Sequence, residues 1–507
     1  MLAHLTTFAI DGVDPRQVWV EVDIRPGLPA FTIVGLGDTA VRESRDRIRA
    51  AILNSGFVFP QTRITANLAP AFLRKVGPGF DAALALGVLA ASEQVPGEAL
   101  RSYAVFGELS LSGEVRDSPG ALAVAEGARR AGLTRLIAPR QRAREAALVA
   151  GLEVVAVPTL RAAAEVVKGA APPPLPAPRP LRPAGSWREP DLADVRGHAA
   201  PVLALEIAAA GGHNLLLEGA PGTGKTMLAR RLASILPKMT RHEAVEVTRI
   251  HSVAGLHANG LITRRPFRAP HHTISAAGLV GGGSPPRPGE ATLANRGVLF
   301  LDELSEFQRP TLAALRQPLE DGRVTIVRGQ RALVFPTRFM LVAATNPCPC
   351  GFAGVGDRCR CGEADLRRHR RRLSGPLLDR MDLLVAVERP TERELRAPPV
   401  ASSAAVRDRV AAARDRQRAR LVNEQAGCNG ELDGRQVARY VRLDGEAQRV
   451  LAQAYGSGAL SARGRHRVLR VARTLADLDG RARVTSDDLL TALSLRQRSS
   501  TEEALAA

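Results

Sequence analysis

His213-Asn214-Leu215-Leu216-Leu217-Glu218 runs directly into Gly219-Ala220-Pro221-Gly222-Thr223-Gly224-Lys225-Thr226, and a helical pattern follows to Leu236. The octapeptide fits GxxxxGK[ST], and an apolar strand before it with a helix after it is the setting that motif requires. Glycines in such a loop let backbone N–H groups close around phosphate oxygens, and the amino end of the following helix adds positive potential. Lys225, one of only four lysines in the chain, is then placed to reach β- and γ-phosphates, and Thr226 to bind Mg²⁺. The stretch reads as a phosphate-binding loop.

Working outward, Val298-Leu299-Phe300-Leu301 is a second apolar run, and it ends in Asp302-Glu303. Two carboxylates at the carboxyl end of a buried strand suit a hydrated Mg²⁺ at Asp302 and an attacking water at Glu303. Phe339–Ala344 is a third such strand. Asn346 follows it, and its amide would position the same water; Asn346-Pro347 also satisfies a plain turn. Strand, loop and helix alternate, which predicts an α/β fold with a parallel-sheet nucleotide-binding core. Ala199–Ala210 reads as a helix ahead of that core. From about Ser402 proline disappears, and helices are expected over Ala404–Leu421, Asp433–Tyr440, Gly445–Tyr455, Ala462–Leu478 and Ser486–Arg496.

Gly169–Pro190 is too rich in proline for a helix or a central strand, so it reads as an extended linker. The expected organisation is an N-terminal domain over 1–168, the linker over 169–190, a nucleotide-binding core over 191–398 and a helical domain over 399–507. The N-terminal part is α+β in pattern, with strands at Val18–Val22 and Phe31–Val34 and helices at Arg42–Asn54, Phe80–Ser92 and Ala121–Ala131.

The longest apolar run, around Ala82–Ala91, falls short of the roughly 20 residues a bilayer crossing needs. No basic stretch precedes an apolar one at the N-terminus. A cytoplasmic protein without membrane contact is the expectation. Lys and Arg number 70 against 51 acidic residues, a formal net charge of +19. That balance favours polyanion partners, nucleic acid first. Abundant Arg and Ala also follow from biased codon usage, so local clustering carries more weight than the total.

The order of phosphate loop, acidic pair and polar strand end resembles the AAA+ ATPases. Phe267-Arg268-Ala269-Pro270-His271-His272-Thr273-Ile274-Ser275, Gly289-Glu290, Gly297–Leu304 and Ser374–Asp382 look like the magnesium-chelatase-like branch. Within it, nearly the whole chain resembles the ComM/YifB family. The resemblance implies an AAA+ core with a helical C-terminal lid, ATP and Mg²⁺ as cofactors, and a homo-hexameric ring. It also implies a DNA helicase that drives branch migration in natural transformation. The competing class is a magnesium-chelatase-like motor subunit that remodels a protein partner. In such a ring one subunit supplies an arginine to its neighbour's γ-phosphate; Arg380 stands where this group places that finger, and Arg463 looks like the second sensor on the lid. The segment 251–288 resembles an insertion that projects toward the ring pore and carries Arg264, Arg265 and Arg268. A hairpin-like stretch, Arg323–Arg338, holds Arg328 and Arg331. These five arginines are candidate DNA contacts, because backbone tracking needs cations facing phosphates; solvated charged loops are the alternative.

Cys348, Cys350, Cys359 and Cys361 form CxC–x8–CxC, a finger over 346–362. Four thiolates suit tetrahedral Zn²⁺; four unligated cytosolic thiols are the other reading. Arg360, Arg367, Arg368, Arg370, Arg371 and Arg372 follow, either a solvated helix face or a phosphate-binding patch. In the N-terminal domain, Lys75–Asp81 and Phe106–Gly113 resemble the Lon-protease-like (ribosomal S5-like) fold. A Ser-Lys protease needs a serine beside a lysine, and Gly79 stands where that family's nucleophile would fall. The domain is expected to be proteolytically inert.

Overall fold

The computed structural model describes residues 1–177, 190–256, 260–283, 286–328, 331–373, 377–458 and 460–496. Most of the linker, 178–189, therefore lies outside the described residues. In the N-terminal unit, β1 (Leu2–Asp11) and β2 (Asp14–Arg25) pair antiparallel from Leu2↔Asp23 to Asp11↔Asp14. Gly12 closes this hairpin at φ +69°, a conformation that glycine adopts without a Cβ penalty. Strands β3 (Ala30–Val34), β4 (Arg63–Ala69), β5 (Tyr103–Val105), β6 (Arg135–Pro139) and β7 (Glu153–Val157) complete a mixed sheet ordered β3-β4-β2-β1-β5-β6-β7. Helices α1 (Thr39–Asn54), α2 (Asp81–Ala91), α3 (Ala121–Arg130) and α4 (Leu160–Val167) pack with it. Every residue of α2 is buried. Its one carboxylate, Asp81, is held by the Ser44 hydroxyl and by Arg47 at 3.0 Å.

The second unit begins with α5 (Ala199–Gly211), β8 (Leu215–Glu218), α6 (Lys225–Ile235) and α7 (Arg241–Val253). Then come β9 (Phe267–Arg268), β10 (Val298–Leu301), the hairpin β11 (Arg323–Arg328) and β12 (Arg331–Pro336), β13 (Met340–Thr345), helix α8 (Glu363–Leu373) and β14 (Leu383–Ala386). The central sheet is ordered β9-β10-β13-β8-β14, and every neighbouring pair is parallel. Alternate residues feed two cores: Leu215, Leu217, Val298, Phe300, Val342 and Ala344 face one, Leu216, Leu299, Leu301, Leu341 and Ala343 the other. Burial on both faces is why these strands read as unbroken apolar runs.

After a short helix over Glu392–Arg396 come α9 (Ser403–Arg420), α10 (Gly434–Tyr440), α11 (Gly445–Gly456), α12 (Ala462–Leu478) and α13 (Ser486–Ser494). Ser402, Asp433, Asp444, Ser461 and Thr485 cap their amino ends by accepting a backbone N–H. Val406, Val410, Leu469 and Ala472 of this bundle join the same core as Leu215 and Val298. The N-terminal unit meets the second one along α7. There the Ser252 hydroxyl donates to Glu145 at 2.6 Å, and Arg249 pairs with Glu126 at 3.0 Å. Val13, Ile250, Leu293, Val324 and Phe335 form a small shared core at that junction. Among the described residues no helix is long and apolar enough to cross a membrane.

Candidate nucleotide site and its surroundings

In a parallel sheet all strands end on the same edge, and ligands bind outside that carboxyl edge. Here the edge carries the phosphate loop after Glu218, Asp302 after Leu301 and Asn346 after Thr345. The Gly219 N–H donates to the Thr345 carbonyl at 3.2 Å, which stitches the loop to β13. A Cβ on Gly219 would lie 2.2 Å from the Val387 carbonyl, so only glycine fits there. Ala220 and Pro221 carry the turn, and the Thr223 hydroxyl donates back to the Ala220 carbonyl at 2.9 Å. Gly222 and Gly224 take φ +79° and +92°, which turns the loop into α6. Lys225 Nζ donates to the carbonyls of Gly219 (2.6 Å) and Ala220 (2.9 Å) and to Asn346 Oδ1 (3.1 Å). Burial lowers the pKa of its ammonium, and Asp302, Glu218 and Glu303 oppose that shift.

The Thr226 hydroxyl donates to Asp302 Oδ2 at 2.7 Å, so two hard oxygen ligands already lie side by side. Glu303 adopts φ +52°, an uncommon conformation for a non-glycine residue. Its carboxylate is 58% exposed and lies 3.5 Å from His272 Nδ1. The sequence placed His272 in a motif but gave it no role; its partner stands 31 residues away, beyond any local pattern.

Arg380 stands on the opposite edge, just before β14. The Asn214 side-chain amide, just before β8, donates to the Arg380 carbonyl at 3.0 Å, and Asn214 Oδ1 accepts from Leu341 N–H at 2.9 Å. Four residues of strand, at about 3.3 Å each, put roughly 13 Å between the two edges. The Arg380 guanidinium pairs with Glu320. Burial, then Arg463 and Arg316, lowers its pKa. Arg463 lies exposed on a cleft of about 960 Å³ whose wall also includes Glu320, Arg380, Arg467 and Arg470 and no residue of the phosphate loop. The structure thus brings Lys225, Thr226, Asp302, Glu303 and Asn346 together, and gathers Arg380 and Arg463 elsewhere.

Two of the five arginines expected to face DNA are engaged within the chain. Arg265 donates to the carbonyls of Pro237 (2.7 Å) and Arg296 (2.6 Å) and pairs with Glu243 at 3.0 Å. Arg268 grips Glu290 with two bonds of 2.6 and 2.7 Å. Both guanidiniums tie their segment to the core through these carboxylates. Arg264 is exposed. Arg328 and Arg331 pair with each other at the tip of the β11–β12 hairpin; their side chains lie outside the described residues.

The four thiols of Cys348, Cys350, Cys359 and Cys361 come within 4.8 Å of one another. Sulfur–sulfur separations of 3.3, 3.8 and 3.7 Å compare with roughly 3.8 Å for a tetrahedron of 2.3 Å Zn–S bonds. Burial pushes the Cys348 thiol up to about 12, whereas N–H groups of Arg360 and Phe352 bring Cys350 down to about 6. Cys428 is buried apart from them.

Comparison with known proteins finds matches along nearly the whole chain. Residues 191–395 match the family model described as magnesium chelatase, subunit ChlI. Residues 20–142 match subunit ChlI of Mg-chelatase, and 400–496 match the ChlI C-terminal model. An uncharacterized protein of Mycobacterium tuberculosis is 44% identical over 98% of this chain and 99% of its own. YifB of Escherichia coli is 42% identical, and the competence protein ComM of Haemophilus influenzae is 41% identical, each over 98% of this chain and 97% of its own. These matches run over nearly the full length of both partners, and the chain belongs to the ComM/YifB family of magnesium-chelatase-like AAA+ ATPases.

Proposed function

We propose that the chain is an ATP-driven motor whose catalytic sites form between copies, six of them closing a ring. One observation carries this reading: the phosphate-binding and acidic residues share one edge of the sheet, while Arg380 and Arg463 share the other. An arginine held roughly 13 Å from the strand ends acts on a neighbour's nucleotide, not its own. Lys225 grips the β- and γ-phosphates once ATP displaces the loop carbonyls it now binds. Thr226 and Asp302 would hold Mg²⁺, which would supply charge neutralisation at those phosphates. Glu303, exposed beside His272, takes the proton of the attacking water, and Asn346 orients that water. The neighbour's Arg380 leaves Glu320 and stabilises the charge that builds on the γ-phosphate.

Two loads fit this engine. A magnesium-chelatase-like subunit that remodels a protein partner is favoured by the three family models, which together span both units of the chain. A DNA motor for recombination during transformation is supported by the end-to-end match to a competence protein and by the arginine pair at the hairpin tip. The ATPase rate with and without single-stranded and branched DNA separates them. Stimulation supports the DNA motor; an unchanged rate with both DNAs leaves the protein-remodelling reading. If DNA is the load, Arg328→Ala with Arg331→Ala weakens binding and reduces the salt slope by about two, one per lost phosphate contact.

Cys348, Cys350, Cys359 and Cys361 fit a structural Zn²⁺, which would supply a rigid cross-link. The N-terminal domain acts as a non-proteolytic platform. Gly79 packs so closely on Phe106 that a Cβ there would lie 2.6 Å from the ring, leaving no room for a serine nucleophile.

A further inference from the structure

Helix α8, the arginine-rich helix after the cysteines, has almost nothing apolar to hold it down. Among its described side chains only His369 is buried, and Leu366 is half-buried; Arg367, Arg368, Arg371 and Arg372 are exposed. A helix this polar and short gains little from docking by itself. Yet it is docked, against the turn Leu304–Glu306 that follows the catalytic pair. His369 Nε2 lies 2.9 Å from the Asn346 carbonyl. A carbonyl only accepts, so Nε2 carries the proton and donates.

The cysteine knuckle explains how the helix gets there. Cys348 lies two residues beyond Asn346, and α8 starts two residues beyond Cys361, so the thiol cluster closes the loop that brings His369 back to Asn346. The knuckle also leans on the phosphate loop. A Cβ on Gly351 would lie 2.6 Å from Pro221 and 3.9 Å from the Asn346 side chain. Asn346 is thus fixed from two sides, by Lys225 on its amide oxygen and by His369 on its carbonyl, with the Thr345 hydroxyl adding a bond of 3.2 Å to that carbonyl.

We propose that the Cys348–Cys361 knuckle and His369 form a clamp on the Asn346 backbone, so that a zinc ion held by the four thiolates governs the hydrolysis step and not nucleotide binding. His369 is a positioning residue: it acts through Asn346 and touches no substrate. The inference rests on the ATPase reading above and deepens it.

The test uses the full-length chain and three readouts: steady-state ATP turnover, affinity for a fluorescent ATP analogue, and zinc content of the purified protein. His369→Ala lowers kcat at least tenfold and leaves nucleotide affinity and zinc content within twofold of wild type. His369→Gln, whose amide Nε2 can donate to the same carbonyl, recovers turnover to within threefold. Cys359→Ser with Cys361→Ser loses the zinc and loses turnover to the same extent as His369→Ala, while the nucleotide still binds. If the double variant fails to fold, as circular dichroism reads it, the two His369 variants still decide. Wild-type turnover in His369→Ala, or loss of nucleotide affinity in step with kcat, overturns the clamp while leaving the motor intact. A wild-type protein that binds ATP and never hydrolyses it overturns both.

Discussion

Lys225 is the most constrained charge in the site, buried and held by two loop carbonyls and Asn346. Lys225→Ala is expected to abolish ATP binding, read by loss of fluorescent-nucleotide affinity. Glu303→Gln keeps the side chain's shape and removes its basicity; nucleotide binding should persist while turnover falls by about 10²-fold or more, the usual worth of a general base. Arg380→Ala should leave binding intact and lower kcat by about 10³-fold or more, as loss of an arginine finger does. If Arg380 serves another copy, as proposed, mixing Arg380→Ala with Lys225→Ala should restore part of the turnover, since some junctions then join an intact loop to an intact finger. No recovery in the mixture would place the finger within its own chain. The grouping of Lys225 and Glu303 on one sheet edge was legible in advance because each belongs to a local motif after a strand; Arg380 stands before a strand and was picked out only by the family resemblance. The ion pairs of Arg265 and Arg268 were not legible for the opposite reason: each finds its carboxylate, Glu243 or Glu290, 22 residues away, and sequence spacing gives no sign of such a partner. His369 and Asn214 were missed for the same cause.

Among the elements, the central strands were legible because burial on both faces leaves no polar position to break the run. Strand β1 alternates only over its first half, with Ala3 and Leu5 buried between exposed or half-buried neighbours before the buried run Thr7–Ala9, and β9 is only two residues long. Neither stands out without its partners. The lid helices were legible because their caps are local, but what joins them is not. Asp477 on α12 accepts from Arg420 of α9 at 2.6 and 2.8 Å, from Arg473 at 2.7 Å and from Asn429 at 2.8 Å. Burial alone would raise the pKa of this carboxyl; Arg420 and Arg473 outweigh it and hold it below its ordinary value. A depressed carboxylate contributes stability above its unfolded pKa of about 3.9, and that contribution is lost as pH falls through the lower folded value. Lid stability from this node should therefore be flat from pH 5 to 8, to order of magnitude. Asp477→Ala removes the carboxylate shared by buried Arg473 and half-buried Arg420 and should cost about 3–5 kcal/mol in urea unfolding of the C-terminal helical region.

For the whole molecule, the β11–β12 hairpin matters because its base is gripped by both units. Phe335 is fully buried, and Val334 and Phe335 lie against Gly12 of the first hairpin. Phe335→Ala should cost about 3–5 kcal/mol at this junction. Limited proteolysis within 169–190 should speed up if the two units part. The placement of Arg380 across the sheet from its own nucleotide loop has a last consequence. On the proposed arrangement, in which a neighbour's Arg380 completes each site, a solitary chain would own half of two engines and the whole of none. Specific activity should climb steeply with protein concentration and collapse on dilution, giving the enzyme an intrinsic quorum: below a threshold abundance, ATP is bound and left unspent.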